Sequence, residues 1–394
     1  MNASITQTFS GATTLDVLRT NSEAPVANQI ARIREATGLS HTAIVKSFVK
    51  VARGPGKISF PDFVRLRLFD ASFHSGAALA GYVGQRRNRD ICVTVNYRHD
   101  WYGLLSDKVA VCGYLSAYGF PTIPIAAIYA PELAPNGRVL TDRSALESFL
   151  TSDGNLPLFG KPAEGFQSLG SVALRKFIRS ERVFETTDGR RIALDHLVSD
   201  IEQHYHTGYV FQPLIHPHSD VAHVCGDRLP CARIVTANTY SGVRVIRACW
   251  KIPAGRNMAD NYWRPGNLLA QIDMQSGEVL RACSGTGLDV RFCELHPDTG
   301  VGLRGFVIPH WNAMKQLALE GARLMRHVPL IGWDIAPAEN GPIIVEMNET
   351  PDFFLVQFAD RRGILDDEFR AFMELQVKNR VAHERAMKAE IAKL

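Results

Sequence analysis

The stretch GWDIAPAENGPIIVEMNE, residues 332–349, constrains the chain more than any other. Two apolar runs flank Asn340-Gly341, which predicts a β-hairpin. Glu346 and Asn348 stand two apart and share one strand face. Pairing centred on Asn340 sets Asp334 directly opposite Glu346. That register asks for a loop of odd length with Gly341 in the left-handed position. A strict two-residue Asn-Gly turn would set Asp334 against Met347, on the wrong face. Trp333, Ile335, Ile343, Ile344, Val345 and Met347 predict that the hairpin is buried on one side. Two carboxylates facing each other there are costly without a cation. With an amide oxygen beside them they suit Mg²⁺, completed by phosphate oxygens and water. The alternative is a solvated strand face.

Upstream, LFGKPAEGFQSLGSVAL, residues 158–174, reads as a strand, a terminal lysine, a loop of small residues and a second strand. Gly165, Ser168 and Gly170 let backbone amides approach a phosphate, and Lys161 supplies a point charge. The competing reading is a plain β-hairpin with a flexible tip. The segment GPGKIS, residues 54–59, imitates a phosphate loop and fails. Ile58 follows Lys57 where Ser or Thr belongs, and a helix precedes it instead of a strand.

The surrounding sequence sets the layout. Residues 1–22 read as a loose arm and 24–75 as helices, the third started by Ser59 with Pro61 behind it. Residues 90–97, DICVTVNY, read as a strand. A helix follows, with Ser106 as N-cap and Gly119 as stop. Strands dominate from 157 to 350, interrupted by helices in IALDHLVSDIEQHY and HWNAMKQLALEGARLMRHV. A charged amphipathic helix begins near Leu365. The fold class is therefore α+β, without a regular βαβ repeat.

A chain of 394 residues exceeds one hydrophobic core, so several subdomains are expected. A net charge of +4 without a basic run predicts no nucleic-acid partner. No apolar run nears the roughly 18 residues of a membrane span, and the N-terminus is polar, so a cytoplasmic protein is expected. The seven cysteines form no CxxC and read as reduced. His216, His218, His223, Cys225 and Cys231 resemble no common zinc pattern. They read as a solvated loop, with Gly226-Asp227 as a turn.

Together LFGKPAEGFQSLG, YVFQPLI and GWDIAPAENGPIIVEMNETP, in this order, resemble the ATP-grasp superfamily. Its closest branch is the sugar-transfer-associated one, through GPGKISFPDF, ARIVT and DNYWRPGNLLAQIDMQSGEV. The resemblance covers roughly residues 55–375. It implies two α+β subdomains clasping ATP, with a helical N-terminal extension. The expected segments are 1–75 for the arm and extension, 76–155 for the start of the core and 156–212 for the lid. Residues 213–363 would form the C-terminal subdomain and 364–394 a helix. Lys108 and Lys161 would contact ATP phosphates. Gln212, Pro213 and Leu214 would read adenine, and Asp220 would hold the ribose. Arg233 and Lys251 would face the reacting phosphoryl group, with Asn261 near the acceptor. Asp334, Glu346 and Asn348 would bind Mg²⁺, as two ions. Glu349-Thr350-Pro351-Asp352 departs from the family's small residue, Pro and Gly, which puts the acceptor in question. The implied activity is an ADP-forming ligase joining a small-molecule carboxylic acid to an amine or other nucleophile. A kinase acting on a hydroxyl and a non-catalytic ATP-binding module are the alternatives. A homo-oligomer stays open.

Overall fold

The computed structural model describes residues 25–74, 79–134, 136–163, 170–205 and 207–393. The expected arm at 1–22 lies outside the described residues, as do Gly165 and Ser168. The chain divides into two compact units, Pro124–Leu214 and a larger one of Asn21–Ile123 with Ile215–Leu394.

The smaller unit is built on seven strands. Their spatial order is Val139–Leu140, Ala127–Tyr129, Tyr209–Pro213, Leu158–Pro162, Val172–Ile178, Val183–Thr186 and Arg191–Ala193. Helices Arg143–Leu150 and Leu194–His204 pack their apolar stripes, Leu146, Leu150, Leu197, Val198 and Ile201, onto this sheet. Gly170 leads into the strand Val172–Ile178 at φ +73, where a Cβ would strike the Tyr205 hydroxyl. The Gly170 carbonyl accepts from Tyr209 Oη at 2.7 Å, so this end of the loop is pinned.

The larger unit carries a second seven-stranded sheet, antiparallel throughout. Its order is Arg291–Phe292, Val279–Ser284, Leu268–Ile272, Gly242–Ile252, Cys231–Thr239, Leu330–Ala338 and Gly341–Asn348. Side chains alternate across it. Ile234, Ala248, Trp250, Trp333 and Ile335 face one side, where helix Trp311–Leu324 inserts Trp311, Met314 and Ala318. Val235, Cys249, Leu269 and Leu330 face the other. That side is covered by the N-terminal helices Val26–Thr37, His41–Ala52 and Phe60–Arg65, with Phe353–Asp360 and the start of Asp367–Ile391. The third helix starts at Ser59 as expected, and there Ser59 and Asp62 form a capping box.

Three expectations are corrected. Residues 90–97 are not a strand: helix Gln85–Val95 occupies 90–95 and Asn96 ends it. Its buried residues Asn88, Ile91, Cys92 and Val95 fall at helical spacing, and this period overrides the β-propensity of the run. The helix after it is capped by Asp107, which accepts from Val109 and Ala110, and not by Ser106. The His/Cys stretch is no loop. Helix Ser219–Cys225 buries Val221, Val224 and Cys225, and Gly226 ends it at φ +71. No helix among the described residues is long and apolar enough to cross a membrane.

Candidate active site

In the larger unit, Arg233, Asp334 and Glu346 form one row across three adjacent strands, Arg233 opposite Asp334 and Asp334 opposite Glu346. The expected register is present, but the odd-length loop is not. The loop is Glu339-Asn340, between the paired residues Ala338 and Gly341. That alone would carry Asp334 past Glu346 to Val345. A β-bulge between Asp334 and Ile335 on one side, opposite Ile344 to Glu346 on the other, adds the missing residue. It turns Glu346 onto the face of Asp334.

Asp334 is saturated with cations. Arg233 Nε donates to its Oδ1 at 2.6 Å and Nη2 to Oδ2 at 3.0 Å. Lys251 Nζ donates to the same Oδ2 at 3.0 Å. Lys251 also lies 3.2 Å from Asp260 Oδ2, which accepts from Cys231 N at 2.9 Å. The side chains of Arg233, Asp334 and Lys251 are only 8%, 5% and 7% exposed. Gly332 makes room for this packing, since a Cβ there would meet Pro351 Cβ at 2.9 Å and Arg233 Cδ at 3.3 Å.

Burial works against every charge in the cluster, and the partners decide the result. For Asp334, Arg233 and then Lys251 outweigh burial and hold the carboxyl below the ordinary carboxylate range. For Lys251, Asp260 and Asp334 outweigh it and raise the amine above an ordinary lysine. For Asp260, burial wins: assisted by Asp334 and opposed by Lys251, it pushes the carboxyl up.

Glu346 and Asn348 complete the face. Glu346 is 36% exposed, and Lys108 Nζ approaches its Oε1 to 3.8 Å. Lys108 opens helix Lys108–Ala117, so the fold brings together two residues 238 positions apart, 346 less 108. Asn348 Nδ2 donates toward Gly332 O at 3.4 Å. Among the described residues no three His, Cys, Asp or Glu side chains gather closely enough to hold a metal ion. The donor set still fits a hard cation that takes its remaining ligands from phosphate and water: Glu346 and Asn348 offer oxygens on one face. Asp334 fits less freely, because both its oxygens already accept from Arg233 and Lys251.

Residues 349–353, which follow Asn348, are held by the helix Gln85–Val95 and by Asn96 at its end. Asn88 donates to Pro351 O at 3.0 Å and accepts from Phe353 N at 2.7 Å. Asn96 donates to Glu349 O at 2.7 Å and to Leu330 O at 2.8 Å. Asp352 caps helix Phe353–Asp360 and accepts from Trp263 Nε1 at 3.1 Å. Arg65 lies over the Trp263 ring, 4.9 Å from its centroid. Asn261 is buried and its Oδ1 accepts from Trp263 N at 3.1 Å, so it shapes the loop that carries Asp260. Asp260, adjacent to Asn261 in DNYW, carries no local signal that sets it apart from its polar neighbours Asn257, Asn261 and Arg264.

The remaining candidates are placed as follows. In the smaller unit Lys161 lies on the strand Leu158–Pro162, opposite Val210. Gln212 and Pro213 pair with Phe159 and Leu158, and the Leu214 N–H donates to Pro157 O at 3.1 Å. A ligand reading that amide would have to displace this bond. In the larger unit Asp220 is exposed in the first turn of Ser219–Cys225, with its N–H donating to His218 Nδ1 at 3.2 Å. His216 pairs with Asp227 at 2.7 Å, while Cys225 and Cys231 are buried.

Comparison with known proteins agrees with this architecture. A family model described as sugar-transfer associated ATP-grasp matches residues 87–371, and the chain belongs to that family. Its fold is ATP-grasp, with the helical extension preceding it. No curated protein matches the sequence. Among solved structures, the biotin carboxylase domain of Hydrogenobacter thermophilus 2-oxoglutarate carboxylase, in complex with MgADP and bicarbonate, is 13% identical with a TM-score of 0.34. The alignment covers 66% of this chain and 46% of that one. D-alanyl-alanine synthetase A from Vibrio cholerae is 12% identical over 70% of this chain and 65% of that one, with a TM-score of 0.39. N5-carboxyaminoimidazole ribonucleotide synthetase from Thermotoga maritima is 11% identical over 69% and 49%, with a TM-score of 0.35. The chain thus spans about half the length of two of these three.

Proposed function

We propose that the protein is an ATP-dependent ligase that activates a substrate carboxylate and joins it to an amine or similar nucleophile, releasing ADP and phosphate. The observation that carries this reading is the buried Arg233–Asp334–Lys251 cluster beside Glu346 and Asn348. Two cations held in a water-poor site are arranged to meet charge that develops on a transferring phosphoryl group.

In this scheme a substrate carboxylate oxygen attacks the γ-phosphorus of ATP and ADP leaves. The nucleophile then attacks the acyl carbon and phosphate leaves. Arg233 and Lys251 offset charge on the phosphoryl oxygens. Glu346 and Asn348 would hold Mg²⁺, with Asp334 as a further ligand once its cations turn to phosphate. Bound Mg²⁺ neutralises phosphate charge and orients the leaving group. Lys108 and Lys161 are assigned to phosphates, Gln212, Pro213 and Leu214 to adenine, Asp220 to the ribose and Asn261 to the acceptor side. These assignments rest on the family resemblance.

The test is product analysis across a panel of carboxylic acids with Mg²⁺ and ATP. Hydroxylamine should replace the nucleophile and give a hydroxamate, with equal ADP and phosphate. A stable phosphorylated product without hydroxamate would identify a kinase instead.

A further inference from the structure

Asp260 stands first in DNYWRPGN with no role of its own expected from the sequence, yet it closes the charge balance of the site. The cluster contains two cations, Arg233 and Lys251, and two anions, Asp334 and Asp260, and is neutral as it stands. Lys251 Nζ is divided between Asp334 Oδ2 at 3.0 Å and Asp260 Oδ2 at 3.2 Å. Both carboxylates are largely buried, Asp260 at 13% exposure. Its position is prescribed by backbone: its Oδ2 accepts from Cys231 N, the residue opposite Lys251 in the sheet. The loop beneath is fixed by the buried Asn267, which donates to Ala259 O at 2.8 Å and Asn261 O at 2.7 Å.

Resting on the function proposed above, we infer that Asp260 is a positioning residue that keeps Lys251 in place while Asp334 exchanges partners. As the site stands, Asp334 accepts from both cations. When a nucleotide brings phosphate and Mg²⁺ together, phosphate draws on Arg233 and Lys251, and Asp334 is released toward the metal. Without Asp260 that exchange would leave Lys251 buried with no fixed anion, which is expensive. With Asp260 the amine keeps one carboxylate throughout. The cluster is then a store of positive charge that opens only when both anion and metal arrive, so nucleotide and Mg²⁺ should bind cooperatively, and reciprocally so.

The experiment is isothermal calorimetry of the full chain with adenylyl imidodiphosphate, with and without Mg²⁺. Four proteins are compared: wild type, Asp260→Asn, Lys251→Met and the double variant. Asparagine retains an acceptor for Cys231 N and removes only the charge, and thermal unfolding checks each fold. Wild type should bind at least tenfold more tightly with Mg²⁺ than without. Asp260→Asn should lower the affinity with Mg²⁺ at least tenfold and reduce that Mg²⁺ enhancement. In the Lys251→Met background the same change should do nothing further, because Asp260 acts through Lys251. A purely structural Asp260 would give additive losses and an unchanged Mg²⁺ enhancement, and either result overturns the inference. If wild type binds no nucleotide at all, the function proposed above fails first. If wild type binds and Asp260→Asn matches it, only the role of Asp260 fails.

Discussion

Each unit of the molecule carries a network of ion pairs, and the two networks differ in almost every physical respect. In the smaller unit Arg143 reaches Glu147 at 2.9 Å, Glu202 at 2.7 Å and Asp195 at 3.6 Å, with Arg182 bridging Glu147 and Asp195. Those side chains are 27% to 65% exposed. In the larger unit the Arg233, Lys251 and Asp334 side chains are below 10% exposed, with comparable distances. Similar geometry therefore carries different energies. Exposed pairs exchange water for a partner at little net gain. Buried pairs have already lost their water, so each partner is indispensable to the other. A sheet could bury Leu or Val in that row more cheaply. Retaining Arg233, Lys251, Asp334 and the nearby Asp260 there is what the function proposed above would account for.

Asp334→Asn tests this contrast most severely. It leaves Arg233 and Lys251 buried beside a neutral amide and should destabilise the protein by about 3–5 kcal/mol. Thermal and urea unfolding would show it, and a variant as stable as wild type would erase the distinction between the networks. The sign of the acid response follows from the same pairing. Asp334 has a lowered native pKa, so its contribution is complete above its unfolded value of about 3.9. It fades as pH falls through the native value, and the acid unfolding limb of Asp334→Asn should be correspondingly shallower.

Glu346→Gln separates function from stability on the same face. Glu346 is partly exposed and meets Lys108 only at 3.8 Å, so unfolding should barely move. Mg²⁺-dependent nucleotide affinity should fall about a hundredfold, the loss of a charged ligand worth about 2.7 kcal/mol. Undiminished affinity would remove Glu346 from the metal site. Lys161→Ala makes the parallel cut in the smaller unit. Nucleotide affinity should weaken about tenfold with stability unchanged, as for one charge-assisted contact. Calorimetry showing equal affinity would take Lys161 off the phosphates. The smallest effect is expected at Arg143→Ala, which should cost about 1 kcal/mol or less and fade further in high salt. A loss above about 3 kcal/mol would mean that exposure is a poor guide here.

Much of this architecture was legible because it is written in local patterns. The helix Trp311–Leu324 is present as read, with Trp311, Met314 and Leu317 buried on one face. The helix start at Ser59 and the strands around Lys161, Arg233, Lys251, Asp334 and Glu346 are also as read. Residues 90–97 misled because Ile91, Cys92 and Val95 satisfy both a strand's composition and a helix's period. Composition describes each residue alone, whereas the helix is selected by what it packs against, here through Asn88 and Asn96 on the segment after Asn348.

The sequence by itself determined that Glu346 and Asn348, at period-two spacing, share a face, with Asp334 on the other strand of the hairpin and cations on the preceding strands. Spacing of that kind is local, and side-chain alternation translates it directly into a shared side. Only the tertiary structure decided how the face is joined. The bulge that aligns Glu346 with Asp334, the approach of Lys108 and the place of Asp260 under Lys251 all depend on contacts between distant segments. A one-residue change in register moves every side chain to the opposite face, and no local pattern records where a strand yields by one residue. Whether a charge is paired in the dark or solvated at the rim is likewise a property of the surroundings, and it separates Arg233 from Arg143.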